Sequence, residues 1–155
     1  FGSKDALLRE AIEHADTANR PMLDFDSEDP GLELRRWGRE TYDRYYASRN
    51  LIRQILGDTV DRPGIAPRLS DDQLHEYRQL HGFLAHLADR DLITERDPSR
   101  MEAAGAMLLH SLLSNALWRD LVPEIPPPEA CVQLFVEMTL RALGARSTVS
   151  AGARP

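Results

Sequence analysis

Four polar side chains, His110, Ser111, Ser114 and Asn115, fall within little more than one helical turn, inside a stretch that otherwise avoids polarity. From Ala103 to Trp118 (AAGAMLLHSLLSNALW) there is no Asp, Glu, Lys or Arg. Buried polar groups are costly unless hydrogen-bonded, so each of the four needs a partner. Neighbouring backbone, water or a bound molecule can supply one, and the sequence leaves structural satisfaction and ligand contact both open. His110 and Ser111 are sequence neighbours that point different ways, so they do not make a catalytic pair. His81 and His86 sit about 140° apart around a helix and do not share a face. Asp71, Asp72 and His75 converge on the first turn of a predicted helix, where carboxylates favour the N-terminal end of the dipole. Trp37, Tyr42, Tyr45 and Tyr46 form an aromatic group that suits a packed core or a ligand cage. The chain has no Gly-rich phosphate loop, no HExxH, no CxxC and no nucleophile elbow. Nothing in this set argues for an enzyme, a catalytic residue, a bound metal or a cofactor.

The bulk properties narrow the class. A length of 155 residues fits one domain able to bury a core. A net charge of −6 argues against the chain, as given, coating a polyanion. Cys131 is the single cysteine; it excludes an intrachain disulfide and fits a reducing, cytoplasmic setting. The uncharged run is shorter than the roughly 20 apolar residues that a membrane span requires. It reads instead as a buried core helix, and no membrane partner is expected.

The elements that would position these residues are all helical. Ser3 is a candidate N-cap for a helix from Lys4 to about Asn19, with Leu7, Leu8, Ala11, Ile12 and Ala15 as its apolar stripe. Asp24 to Asp29 is acidic and loop-like. Asp29-Pro30 and Asp97-Pro98 each pair a carboxylate N-cap with proline at the first helical position. The helix after Asp29 carries Leu34, Trp37, Thr41 and Tyr45 on one face, and a join near Arg49-Asn50 leads into a short helix to Val60. Pro63, Gly64 and Pro67 mark a loop over Asp61 to Leu69. Ser70-Asp71-Asp72-Gln73 reads as a capping box that opens the next helix.

The last two helices, Asp97 to Val122 and Ala130 to Leu143, each show two apolar stripes. Met101, Ala104, Leu108 and Leu112 form one stripe of the first, and Ala106, Leu109, Leu113 and Ala116 the other. A helix apolar most of the way round is buried on more than one side. The expectation is an all-α bundle of about six helices spanning 1–145, with a flexible tail over 146–155. Its last two helices would pair with those of a second copy in a four-helix interface. Leu109, Leu113, Val132, Val136, Leu140 and Leu143 would form the seam of that homodimer.

The opening segment, FGSKDALLREAIEHA, resembles the join between the helix-turn-helix and the regulatory domain in TetR-family transcription regulators. Phe1, Ser3, Lys4, Leu7 and Leu8 match its aromatic, Ser-Lys and Leu-rich pattern. NLIRQIL from Asn50 with Arg62-Pro63 is similar to the family's middle helix and exit. Asp91 to Pro98 resembles its connection into the penultimate helix, and Leu140-Arg141-Ala142-Leu143-Gly144 its final helix. The resemblance implies the ligand-binding and dimerising domain of a DNA-binding regulator, usually a repressor. In that reading 1–19 is the linker helix from a DNA-reading domain N-terminal to Phe1, which this sequence does not contain. Lys4 matches the family lysine that meets a DNA phosphate, at a helix start that suits an anion.

The effector implied by the resemblance is expected in a largely apolar cavity between the middle helices. Trp37, Tyr42, Tyr45, His81, Leu84, His110, Ser111, Ser114, Asn115 and Trp118 would line it. These residues carry no formal charge, which favours a small hydrophobic effector over a phosphate-bearing one. The alternative is a helical dimerisation or scaffold module with no effector, whose polar residues satisfy one another.

Overall fold

The computed structural model describes residues 21–61 and 66–145, and every regular element among them is an α-helix. Helix α1 runs Pro30–Ala47, α2 Arg49–Asp61, α3 Ala66–Asp89, α4 Pro98–Trp118 and α5 Pro128–Ala142. The all-α class holds. The described residues contain five helices against the expected six. The expected Lys4–Asn19 helix, the Lys4 phosphate contact and the 146–155 tail all lie outside them.

Local chemistry explains the boundaries. Both Asp-Pro signatures act as read: the Asp29 carboxylate accepts from Leu32 N and that of Asp97 from Ser99 N, each with proline in the first turn. One start differs from expectation. Helix α3 begins at Ala66 and runs through the proposed capping box at Ser70, so those residues do not begin the helix. Pro67 falls in its first turn, where a missing N–H breaks no helical bond.

The C-terminal ends of α3 and α5 share one device. Leu92 N donates to Leu87 O and Asp91 N to Ala88 O; Ala145 N donates to Leu140 O and Gly144 N to Arg141 O. Both are the paired bonds of a Schellman cap, with Asp91 (φ 57°) and Gly144 (φ 69°) in the left-handed conformation. Leu143 O then accepts from both Thr94 N and Glu95 N, which ties the loop after α3 to the end of α5.

Helix α4 is the centre of the packing, touching all four other helices; α1 and α5 lie against it and against each other, and α3 covers another side. Gly38 sets the approach of α1 to α5: a Cβ there would meet Val132 Cγ1 at 3.3 Å. Leu34, Trp37, Tyr42, Leu80, Phe83, Leu84, Leu108, Leu112 and Val136 form the fully enclosed centre. The chain entering α1 is pinned as well. Asp24 N donates to Glu33 Oε1 at 2.7 Å, Arg36 Nη2 donates to Met22 O at 2.7 Å, and Phe25 meets Phe83 edge-on at 5.5 Å.

The single chain itself covers most of the expected dimer seam. Leu109, Val132, Val136 and Leu143 are buried within the single chain, and Leu113 and Leu140 are partly buried against the same core. The reason is geometric. Each terminal helix had two apolar stripes, and the close approach of α1 at Gly38 draws the Val132–Val136 stripe inward. On α5 the opposite side is left outside, with Leu134 52% and Met138 56% exposed; on α4 both stripes are largely buried, and the exposed apolar residues, Met107 at 67% and Trp118 at 55%, belong to neither.

Candidate functional site

The outer face of α4 carries the polar set His110, Ser111, Ser114 and Asn115. Met107, His110, Ser111, Ser114, Asn115 and Trp118 line an open groove of about 480 Å³, with Ile125 from the following loop at one end. Helical spacing puts Met107, His110, Ser114 and Trp118 on one stripe, three or four residues apart. A smaller hollow of about 130 Å³ adjoins it, where Met107 and Ser111 meet Phe135, Met138 and Ala142 across the α4–α5 seam.

Behind the groove lies a knot of polar side chains. Asn115 Nδ2 donates to Cys131 Sγ at 3.3 Å, and the Cys131 thiol donates to Pro126 O at 3.4 Å. The Arg119 guanidinium donates to Ile125 O and Pro126 O, holding the loop over this end of the bundle. The Tyr42 hydroxyl sits beside Arg119 without a well-formed hydrogen bond; burial pushes it above its ordinary range, against the pull of that cation. Three buried atoms of the knot, Tyr42 OH, Asn115 Oδ1 and Arg119 Nε, have no hydrogen-bond partner.

A second network fixes the end of α4 beside the groove. Tyr46 donates to Asp120 at 2.8 Å, Arg49 bonds the same carboxylate, and the Arg49 guanidinium lies 3.9 Å above the Tyr46 ring. Arg53 Nε donates to Leu117 O at 2.9 Å, a cation on the C-terminal carbonyls of α4. These contacts hold the Asp120 carboxyl below the usual carboxylate range, chiefly through the Arg49 bond.

Of the ten residues expected around one internal cavity, nine divide into two groups and His81 joins neither. Trp37, Tyr42, Tyr45 and Leu84 are buried in the core, and two of them satisfy their polar atoms there. Trp37 Nε1 donates to Gln79 Oε1 at 3.0 Å, and Tyr45 donates to the buried Glu76 carboxylate, which also pairs with Arg44. Burial pushes the Tyr45 hydroxyl up to about 12. His110, Ser111, Ser114, Asn115 and Trp118 come together instead on the open groove. His81 is half-buried on α3 and does not line it.

The knot links the core and groove groups, since Tyr42 lies near Arg119 and Cys131, and Cys131 is bonded to Asn115. Sequence reasoning missed Met107, Arg119 and Ile125. Met107 had a visible signal, since it shares the 3–4 spacing with His110, Ser114 and Trp118. Ile125 had none, because a loop brings it in; Arg119, the C-cap of α4, acts through its reach to the Ile125 and Pro126 carbonyls, which spacing does not show.

Among the described residues no group of His, Cys, Asp and Glu is arranged to hold a metal ion, and no helix is long and apolar enough to cross a membrane. His75 is exposed, and the side chains of Asp71 and Asp72 lie outside the described set. The groove offers apolar walls with hydroxyl, carboxamide and imidazole hydrogen-bonding groups and no Asp, Glu, Lys or Arg, an arrangement suited to holding a ligand. No known protein-family model, curated protein or solved structure matches this chain.

Proposed function

We propose that this chain is the self-associating regulatory domain of a ligand-responsive DNA-binding regulator, acting as a repressor that a small hydrophobic effector releases from operator DNA. The observation that carries the self-association is the outer face of α4 and α5. Over Ala103 to Trp118 it lacks any charged residue, yet Met107, Trp118, Leu134 and Met138 are each more than half exposed. Large contiguous apolar patches on a lone chain mark interaction sites. A two-fold axis sets such a surface against itself, giving a four-helix interface whose α4 side has no charge to desolvate over Ala103 to Trp118. The regulator reading adds the resemblance of the Phe1–Ala15 segment and of the terminal helix pair to TetR-family domains. In a longer chain carrying the helix-turn-helix, Lys4→Ala should weaken DNA binding about equally across sequences and lower the salt slope by about one unit. A change in operator preference would contradict a phosphate contact.

The decisive experiment is light scattering on the chain and on Met138→Glu. A dimer that becomes a folded monomer supports the proposal; a dimer indifferent to the substitution moves the interface elsewhere. A second reading, a dimerisation module with no effector, is favoured by one specific observation. Trp37, Tyr42, Tyr45 and Leu84 pack the interior against one another, where an effector cavity was expected. Ligand titration separates the two readings.

A further inference from the structure

The groove on α4 has the volume of a small-molecule site, about 480 Å³, but not its enclosure. Ligand sites usually bury most of their occupant's surface, so here one wall is missing. Three features say what the wall and the occupant are. The groove runs without a break into the exposed apolar face, because Met107 and Ser111 line both it and the hollow beside Met138. No charged residue lines either, so an oppositely charged partner gains nothing there. A second copy brings the same Met107, Trp118 and Met138. The third feature is Asn115. Its Oδ1 is buried without a hydrogen-bond partner, and its Nδ2 is held by a thiol sulfur at 3.3 Å, a weak acceptor.

We propose that this groove is half of an interfacial site, closed by a second copy of the chain, for a neutral, flat aromatic molecule with an amide-like edge. The inference rests on the self-association proposed above and places the effector between subunits rather than inside one. Met107 and Trp118 supply a polarizable wall and a stacking face. His110, Ser111 and Ser114 supply hydrogen-bond donors and acceptors. The Asn115 carboxamide needs a donor for its Oδ1 and a better acceptor than sulfur for its Nδ2. An amide or lactam edge presents both side by side, and pairs with the carboxamide once that turns from Cys131 toward the groove. An anion or cation finds no countercharge among the lining residues.

The test uses the intact chain and 2-quinolinone, a neutral bicyclic lactam, in equilibrium dialysis, with light scattering on the same samples. The dimer should take up the lactam saturably. Asn115→Leu should weaken uptake about tenfold or more, and Ser114→Trp, at an exposed position, should fill the groove and abolish it. Naphthalene, which lacks the lactam edge, should bind weakly and alike to the parent and to Asn115→Leu. Met138→Glu, outside the groove lining, should give a monomer with normal helical circular dichroism and at least tenfold weaker uptake.

A dimer with no saturable uptake, or one indifferent to both groove substitutions, overturns the site. Undiminished uptake by the folded Met138→Glu monomer shows the site to be complete in one subunit and overturns its interfacial character. If the unmodified chain scatters as a monomer, the self-association falls first, before any ligand is added, and this inference falls with it.

Discussion

Glu33 shows how a single charged side chain can be structural. It is buried on α1, yet it accepts from Asp24 N and bonds the Arg36 guanidinium, which also reaches Met22 O. The Arg36 bond holds its carboxyl below the usual carboxylate range, against the opposing effect of burial. A depressed carboxyl stabilises the fold fully above its unfolded pKa, about 4.3. That contribution is lost as pH falls through the lower folded value. Glu33→Gln should therefore cost about 1–2 kcal/mol at pH 7 by urea denaturation. The gap from the parent should narrow toward pH 3. A gap independent of pH would mean that the carboxylate's charge contributes nothing.

At the scale of an element, the two Schellman caps make a matched pair with opposite expectations. Gly144 cannot carry a side chain: its φ is 69°, and a Cβ would stand 2.0 Å from Thr94 Oγ1. Gly144→Ala should cost about 2 kcal/mol or more and loosen the bonds from Thr94 and Glu95 to Leu143 O. Asp91 adopts the same left-handed conformation at the end of α3. Its ion pair with Arg96 is exposed, and such pairs contribute little. Asp91→Gly should therefore be neutral or raise stability by about 0.5 kcal/mol. Thermal melts of both variants check the pair, and a large loss at Asp91 would show that its side chain matters more than its backbone.

At the scale of the whole molecule, residues two apart on α5 should behave in opposite ways. Val136 is fully buried against α1, whereas Met138 is more than half exposed. Val136→Glu places an unpaired charge in the core and should unfold the chain, not dissociate it. Met138→Glu leaves the core alone and should change only the state of association. Circular dichroism read beside light scattering distinguishes the outcomes; a folded, monomeric Val136→Glu would return the seam to the face first expected from the sequence.

Several features were settled by local sequence alone. The carboxylate-proline starts at Asp29 and Asp97, the uncharged run from Ala103, and the helical periodicity on both sides of it depend on short-range chemistry. That chemistry produced an all-helical chain with two terminal helices of excess apolar surface. The polar set on α4 was also legible as a group, because four residues within about a turn must lie near one another in any helix. Which way the set faces was not legible. A helix with apolar residues on more than one side does not by itself say which of them meets the core. The choice fell to tertiary contacts: a glycine at position 38 lets α1 close onto Val132 and Val136. That approach buries the stripe read as a dimer seam and leaves Met107, Trp118, Leu134 and Met138 outside. Trp37 and Tyr45 lie in the core, and His110 and Ser114 stand out on the groove. Residue types and spacing determined what the site contains, and the packing of the helices decided on which side of the molecule it stands.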